Sequence, residues 1–282
     1  MARPHIEYIQ AQVLPWAEMD ANSLRPGAAR KLLSEDGDTG AFTAIVRYPG
    51  GWKFAHRHHL AADEEFFVLD GCLEIDGVSY SKYGYGYLPA GTTHDVLKSD
   101  AGAAVLTFIN GTPTRHDGAG TPDDSLRIEN PDGSAASFTS DFAHSLAGSG
   151  LAIKFLRNDP VSGARTWLLK RGGDRREDLP PTGRLETHPC VEEFFLLEGT
   201  LGWPQGLMRP GAYFWRPPGI QHGPGSSLTG CLLLFRSLGA PFSTDWSENE
   251  VPRPFEPIPY APTLPPHLQA FAATPYRGSE PY

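Results

Sequence analysis

An internal repeat constrains this 282-residue chain more than any other feature. At a constant separation of 123 positions, Gly27/Gly150, Lys31/Lys154, Leu33/Leu156, Asp36/Asp159, Gly40/Gly163, Ala41/Ala164 and Gly50/Gly173 coincide. After a five-residue shift the separation becomes 128. Glu64/Glu192, Glu65/Glu193, Phe66/Phe194, Phe67/Phe195, Leu69/Leu197, Gly71/Gly199, Pro89/Pro217, Gly91/Gly219 and His94/His222 then coincide. A run of matches with one register change indicates that a folding unit was duplicated.

Each copy reads as β. Ala41–Tyr48 and Arg165–Lys170 are β-branched or aromatic runs, and Glu64–Leu69 and Glu192–Leu197 are apolar strands ended by the turn signals Asp70-Gly71 and Glu198-Gly199. Tyr85–Leu88 and Ala212–Arg216 stop at proline, which is tolerated at strand ends. Val105–Ile109 and Cys231–Phe235 close the copies. No segment of comparable strength keeps a helical period, although Ser140–Ala147 suits a short helix. The expected organisation is a first β unit with its N-terminal arm over 1–112, a linker over 113–139, a second β unit over 140–240 and a Pro-rich strap over 241–282.

The formal charge of −9 provides no basic footprint for nucleic acid, and no apolar run reaches membrane-spanning length. Cys72, Cys190 and Cys231 form neither a disulfide framework nor a CxxC zinc signature. Met1–Gln10 lacks a charged-then-apolar leader, so a cytoplasmic setting is expected.

His56, His58, Glu64 and His94 form a constellation of metal-ligand type in the first copy. Residues i and i+2 of a strand share a face, so His56 and His58 point one way and His59 the other. Glu64 begins the next strand, and His94 follows the Pro89-Ala90-Gly91 turn that returns it across a hairpin. Three neutral imidazoles and a carboxylate suit Fe(II), Mn(II), Ni(II), Cu(II) or Zn(II). In the second copy His188, Glu192 and His222 recur, and Glu186 stands where the first histidine would be. If Glu186 turns away, a two-histidine, one-carboxylate set remains; if it coordinates, the site gains oxygen character that favours Mn(II). By this reading the first copy is the better metal site. Arg47, Arg57, Arg171 and Arg216 flank the sites as anion holders or as solvated surface groups. The aromatics Tyr83, Tyr85, Tyr87, Tyr213, Phe214 and Trp215 read as barrel packing, with one or two lining an apolar pocket.

These motifs resemble the cupin pattern. Gly50, His56-x-His58, Glu64 and Gly71, then Pro89-x-Gly91-x-x-His94, follow it in the first copy, with two departures: the five-residue gap from His58 to Glu64 is slightly long, and Gly84 lies one residue nearer Pro89 than the pattern has it. His188, Glu192 and Gly199, then Gly211 and Pro217-x-Gly219-x-x-His222, follow it in the second. The resemblance implies an all-β chain of two tandem double-stranded β-helix (jelly-roll) barrels. It further implies a divalent transition metal, Fe(II) foremost, and a dioxygenase acting on a small enolisable or hydroxyaryl ketone-type substrate. A non-redox metalloenzyme (decarboxylase, isomerase or hydrolase) and a non-catalytic ligand- or metal-binding bicupin are the alternatives. By the same resemblance a homodimer is expected, with a small molecule as the partner and neither nucleic acid nor membrane.

Overall fold

The computed structural model describes all residues except 1, 141–150, 175–178, 256–257, 275, 277 and 279–281. The short helix expected over Ser140–Ala147 lies, beyond Ser140, outside the described residues, as do His144 and Gly150. The described chain is nearly all β and divides into two compact units. One comprises residues 1–3 and 14–135, the other residues 4–13 and 136–282.

In the first unit the main sheet runs, in order of pairing, Ile128–Asn130, Tyr85–Leu88, Glu64–Ile75, Ala103–Ile109, Phe42–Tyr48, Ala29–Glu35 and Ala17–Glu18. In the second the order is Ile6–Gln10, Ala212–Arg216, Val191–Gly199, Cys231–Leu238, Arg165–Arg171 and Ala152–Asn158. The first six strands of one order match the six of the other, and Ala17–Glu18 is an addition to the first unit, so the jelly-roll arrangement is repeated. Pairing is antiparallel throughout.

The place beside the Pro-terminated strand is filled differently in each unit. Ile128–Asn130, from the segment read as a linker, takes it in the first. Ile6–Gln10, from the segment read as an arm of the first barrel, takes it in the second. Arg115–Asp117 of the same expected linker pairs with His58–Leu60. A strand edge needs partners for its N–H and C=O groups, and Gly- and Pro-rich composition does not exclude a short segment from supplying them.

The turn expected at Asp70-Gly71 does not end its strand, whereas Val191–Gly199 does stop at Gly199. Pairing continues past Gly71 to Ile75, with a register shift between Ala104 and Val105, and an equivalent shift lies between Leu196 and Glu198. An extra residue on one strand bends it and increases its twist. Both glycines sit at positive φ, +73° for Gly71 and +76° for Gly199. A Cβ at Gly71 would stand 2.1 Å from the carbonyl oxygen of Gly102, and one at Gly199 would stand 2.0 Å from that of Gly230. The motif glycine is therefore a packing requirement of each bend.

Beyond Glu64, alternation sends Phe66 and Val68 into the core of the first unit, beside Phe42, Val46, Tyr48 and Val105. Beyond Glu192 it sends Phe194 and Leu196 into the second core, beside Tyr8, Trp203, Phe214 and Leu233. Each glutamate thus stands on the core-facing side, at the start of its strand.

Gly71→Ala and Gly199→Ala are each expected to cost at least ~1–3 kcal/mol from the left-handed backbone alone, before the carbonyl clash is counted. Thermal melting should show a drop of several degrees for both variants. Gly77→Ala, where an added Cβ would meet nothing within 4 Å, is the strain-only control and should fall less.

Candidate metal centres

In the second unit, Glu186, His188 and His222 bring one ligand atom each within 4.8 Å of one another. Backbone pairing places them: Glu186 and His222 exchange N–H···O bonds of 2.9 and 3.0 Å, and the Gly219 N–H donates to the His188 carbonyl at 2.9 Å. The His188 Nδ1–H donates to the Ser243 carbonyl (2.8 Å), and the His222 Nδ1–H donates to that of Ile220 (2.9 Å). Those bonds fix the tautomers and leave each Nε2 with its lone pair. His222 Nε2 is buried without a hydrogen-bond partner, 3.5 Å from Glu186 Oε1 and 3.3 Å from Glu192 Oε2. His188 Nε2 lies 3.8 Å from Glu192 Oε1.

The electrostatics of this centre turn on Arg216, which is 2% exposed. Its guanidinium binds Glu192 through Nη1 and Glu7 through Nε and Nη2, the latter two at 2.5 Å. Glu7 also accepts from Trp203 Nε1 at 2.7 Å. Burial alone would raise the Glu7 carboxyl, but the charge and hydrogen bonds of Arg216 hold it at about 2. Among the described residues no guanidinium is bonded to Glu186, and Arg216 and Arg171 act on it only through their charge. Burial, followed by the nearby Glu192 carboxylate, pushes it up to about 7. His222 is lowered to about 4, by burial and then by Arg216, so it is a neutral ligand at ordinary pH.

The first unit assembles a smaller set. His58 and His94 are fully buried cross-strand partners with ring centroids 5.3 Å apart. The His58 Nδ1–H donates to the His56 carbonyl (2.7 Å), and His58 Nε2 is buried with no partner. Burial lowers His58 to about 4. The His94 Nδ1–H donates to Asp76 Oδ2 (3.2 Å), whose other oxygen accepts from the Asp95 and Val96 amides. Glu64 is buried, with both oxygens on the guanidinium of Arg25.

His56 does not join them. Its side chain is 50% exposed, and Nε2 meets Asp117 Oδ1 at 2.8 Å. His59 stands on the opposite side of its strand from His58, stacked on His116 at 5.2 Å. The spacing argument also aligned the units wrongly at this strand. Gly91 N–H donates to the Leu60 carbonyl as Gly219 N–H donates to that of His188, and His94 pairs with His58 as His222 pairs with Glu186. Glu186 therefore occupies the place of His58, and His188 occupies that of Leu60. The extra gap between His58 and Glu64 is no insertion. Among the described residues the fuller donor set belongs to the second unit, contrary to the expectation from spacing.

Arg216, spent on two carboxylates, is not free to hold a substrate anion. Arg171 is paired with Asp174, Arg47 lies over the Trp16 ring, and Arg57 is exposed near Asp95. Arg25, Glu7 and Asp76 support the sites without any local motif. Each acts on a residue remote in sequence, or through a single side chain that spacing does not flag.

Residues 5–113 match the family model of the ChrR Cupin-like domain. Among solved structures, the chain is similar to a protein of Nostoc punctiforme PCC 73102 provisionally assigned as a dioxygenase (TM-score 0.75, 19% identity, covering 88% of this chain and 92% of that one). It is also similar to salicylate 1,2-dioxygenase of Pseudoaminobacter salicylatoxidans in adducts with gentisate (TM-score 0.51, 12% identity, 74% and 72% covered). A third likeness is to oxalate decarboxylase of Lactobacillus farciminis in a formate complex (TM-score 0.53, 11% identity, 85% and 88% covered). No curated protein matches the chain. The chain has a cupin-type fold, and Glu186, His188 and His222 form a group that could hold a metal ion. No helix among the described residues is long and apolar enough to cross a membrane.

Glu7 gives the second unit a defined acid response. Its folded pKa lies below the ordinary 4.5, so its contribution is present above that value and is lost as pH falls towards 2. The shift corresponds to roughly 3 kcal/mol. Glu7→Gln should lower stability by about that amount at pH 7 and flatten the decline between pH 4.5 and 2, as read by urea denaturation at a series of pH values.

Proposed function

We propose that this protein is a metal-dependent cupin dioxygenase acting on a small enolisable or hydroxyaryl ketone-type substrate, with its working centre at Glu186, His188, Glu192 and His222. The observation that carries the reading is the buried Nε2 of His222, free of any hydrogen bond and facing two carboxylates. A buried polar atom left unpaired is costly, and an imidazole lone pair aimed at carboxylate oxygens is resolved by a cation between them. A redox-active divalent metal, Fe(II) in this reading, would supply Lewis acidity and an electron route to O₂.

The chain's own groups would prepare that chemistry. Ser243 and Ile220 carbonyls hold the two imidazoles in the Nε2-free tautomer. Arg216 fixes the orientation of Glu192. Phe242 lies against His188 (4.4 Å) and Trp203 against His222 (6.2 Å), and these apolar rings would limit water around the two imidazoles. His58, His94 and Glu64 form a weaker metal site, because Arg25 already neutralises the carboxylate and a leucine stands where the second unit has His188.

One observation favours a second reading. Two carboxylates in the donor set give oxygen character that suits Mn(II) and a non-redox reaction such as decarboxylation. Turnover independent of O₂ by the Mn(II)-loaded protein would select it.

The test is anaerobic Fe(II) loading, followed by metal analysis and O₂ consumption with a panel of enolisable and hydroxyaryl substrates. About one tightly held metal per chain is expected. His222→Ala should abolish both retention and consumption, whereas His56→Ala should change neither. Metal affinity should rise with pH through about 7, as Glu186 loses its proton while His222 is already neutral. Iron-loaded protein that consumes no O₂ with any of the panel would overturn the dioxygenase reading.

A further inference from the structure

Of the four imidazoles in the two centres, His188 is oriented from outside the barrel. His58 and His222 donate to carbonyls two residues away in their own loops, and His94 donates to Asp76 across a neighbouring turn. His188 donates instead to the carbonyl of Ser243, 55 positions later, in the segment read as a strap. Thr244 Oγ1 is 3.4 Å from the same nitrogen.

The ring of Phe242 lies over His188 with centroids 4.4 Å apart and planes at 31°. Phe242 is itself held edge-on by Trp167, at 5.3 Å and 72°, and Trp167 stacks on Phe235 of the core sheet. The strap then continues as Asp245–Pro252, which pairs with Thr182–Thr187. In that ladder Trp246 is opposite Glu186 and Asp245 is opposite Thr187. One stretch of tail therefore touches His188 by hydrogen bond and ring contact, and Glu186 by strand register.

We infer that Phe242–Trp246 is a built-in part of the second metal centre, with Phe242 the positioning residue that presses His188 onto the Ser243 carbonyl and so keeps its Nε2 free for a ligand. The inference rests on the metal reading proposed above for the purpose of that lone pair, but the geometry it assigns exists without metal. Without the Phe242 ring, the imidazole gains room to rotate about its side-chain bonds. The Ser243 carbonyl then no longer selects one tautomer, and the ring nitrogen facing Glu192 becomes free to carry the proton. The carboxylate beside it would favour that proton, which would block the donor atom. The first centre contains no counterpart: Leu60 stands at the position of His188, so no imidazole there depends on the tail.

The test uses the full chain carrying Phe242→Ala, with Phe242→Leu as a conservative rescue that retains an apolar cover. In metal-free protein, nitrogen-15 NMR of the histidine rings reads the tautomer directly. His188 should be Nδ1-protonated in the parent and in Phe242→Leu, and should shift to the Nε2-protonated or mixed form in Phe242→Ala. The His222 tautomer should stay unchanged in all three. In a His58→Ala/His94→Ala background, Co(II) titration should then show a loss of affinity of roughly 10-fold for Phe242→Ala and recovery for Phe242→Leu.

An unaltered His188 tautomer in folded Phe242→Ala would overturn the inference. A shifted tautomer in a chain that binds no Co(II) at all would uphold the positioning role and sink the metal reading instead. A variant that loses its sheet signal by circular dichroism is replaced by Trp167→Leu, which loosens Phe242 from behind. The same tautomer shift, smaller in extent, is expected there, and its absence counts against the inference.

Discussion

The second barrel depends on one buried guanidinium. Arg216 lies between Glu7 and Glu192, and all three side chains are nearly inaccessible to water. Burying such charges costs several kcal/mol each, and only close, hydrogen-bonded pairing offsets that cost. Removing any member would leave the others charged in a poorly solvating interior. The arrangement therefore couples three parts of the unit: Glu7 brings in the N-terminal strand Ile6–Gln10, Arg216 ends the strand beside it, and Glu192 faces the centre. Why an arm that precedes the first barrel in sequence joins the second barrel's sheet follows from this pairing, reinforced by Tyr8 in the second core.

The first barrel meets the same requirement by another route. Glu64 is paired with Arg25, which precedes the strand Ala29–Glu35 instead of ending the one opposite. Leu88 occupies the position that Arg216 holds in the other unit, since Glu64 pairs with Leu88 as Glu192 pairs with Arg216. The free sheet edge is then filled from downstream, by Ile128–Asn130, with no ion pair drawing an upstream arm into place. A duplicated backbone thus places a buried carboxylate at the same point twice and finds its counter-charge in two different segments.

These contrasts mark how far the sequence could be read. Strands such as Tyr85–Leu88 and Ala212–Arg216 were visible because aromatic runs bounded by glycine and proline carry a local signal. The edge strands Ile6–Gln10 and Ile128–Asn130 were not, because what makes them strands is an unpaired neighbour remote in sequence. Within the sites, Glu64, Glu192, His94 and His222 followed from motif spacing. The strand before them did not. Matching His-x-His to Glu-x-His by residue type required a gap, whereas the hydrogen bonds of Gly91 and Gly219 keep the two units in step without one. Residue identity misled there because the duplicated positions have exchanged chemistry, His58 for Glu186 and Leu60 for His188. Arg25, Glu7 and Ser243 lie far along the chain from the groups they hold, which no local pattern encodes.

The exchange changes what each barrel can hold. In the first, the charge of Glu64 is balanced by Arg25, and burial holds the His58 imidazole in its neutral form at ordinary pH. A divalent cation entering there would bring uncompensated charge into a buried place unless Arg25 withdrew. In the second, Arg216 faces three carboxylates, those of Glu7, Glu192 and Glu186. Once all are ionised, this group carries two negative charges in excess, which a divalent cation would neutralise. Burial first, and the Glu192 carboxylate second, push the Glu186 carboxyl up to about 7. The residue that stands in place of a histidine in the expected motif thus supplies charge that a divalent cation would balance. Charge balance, more than the number of imidazoles, separates the two halves of this chain.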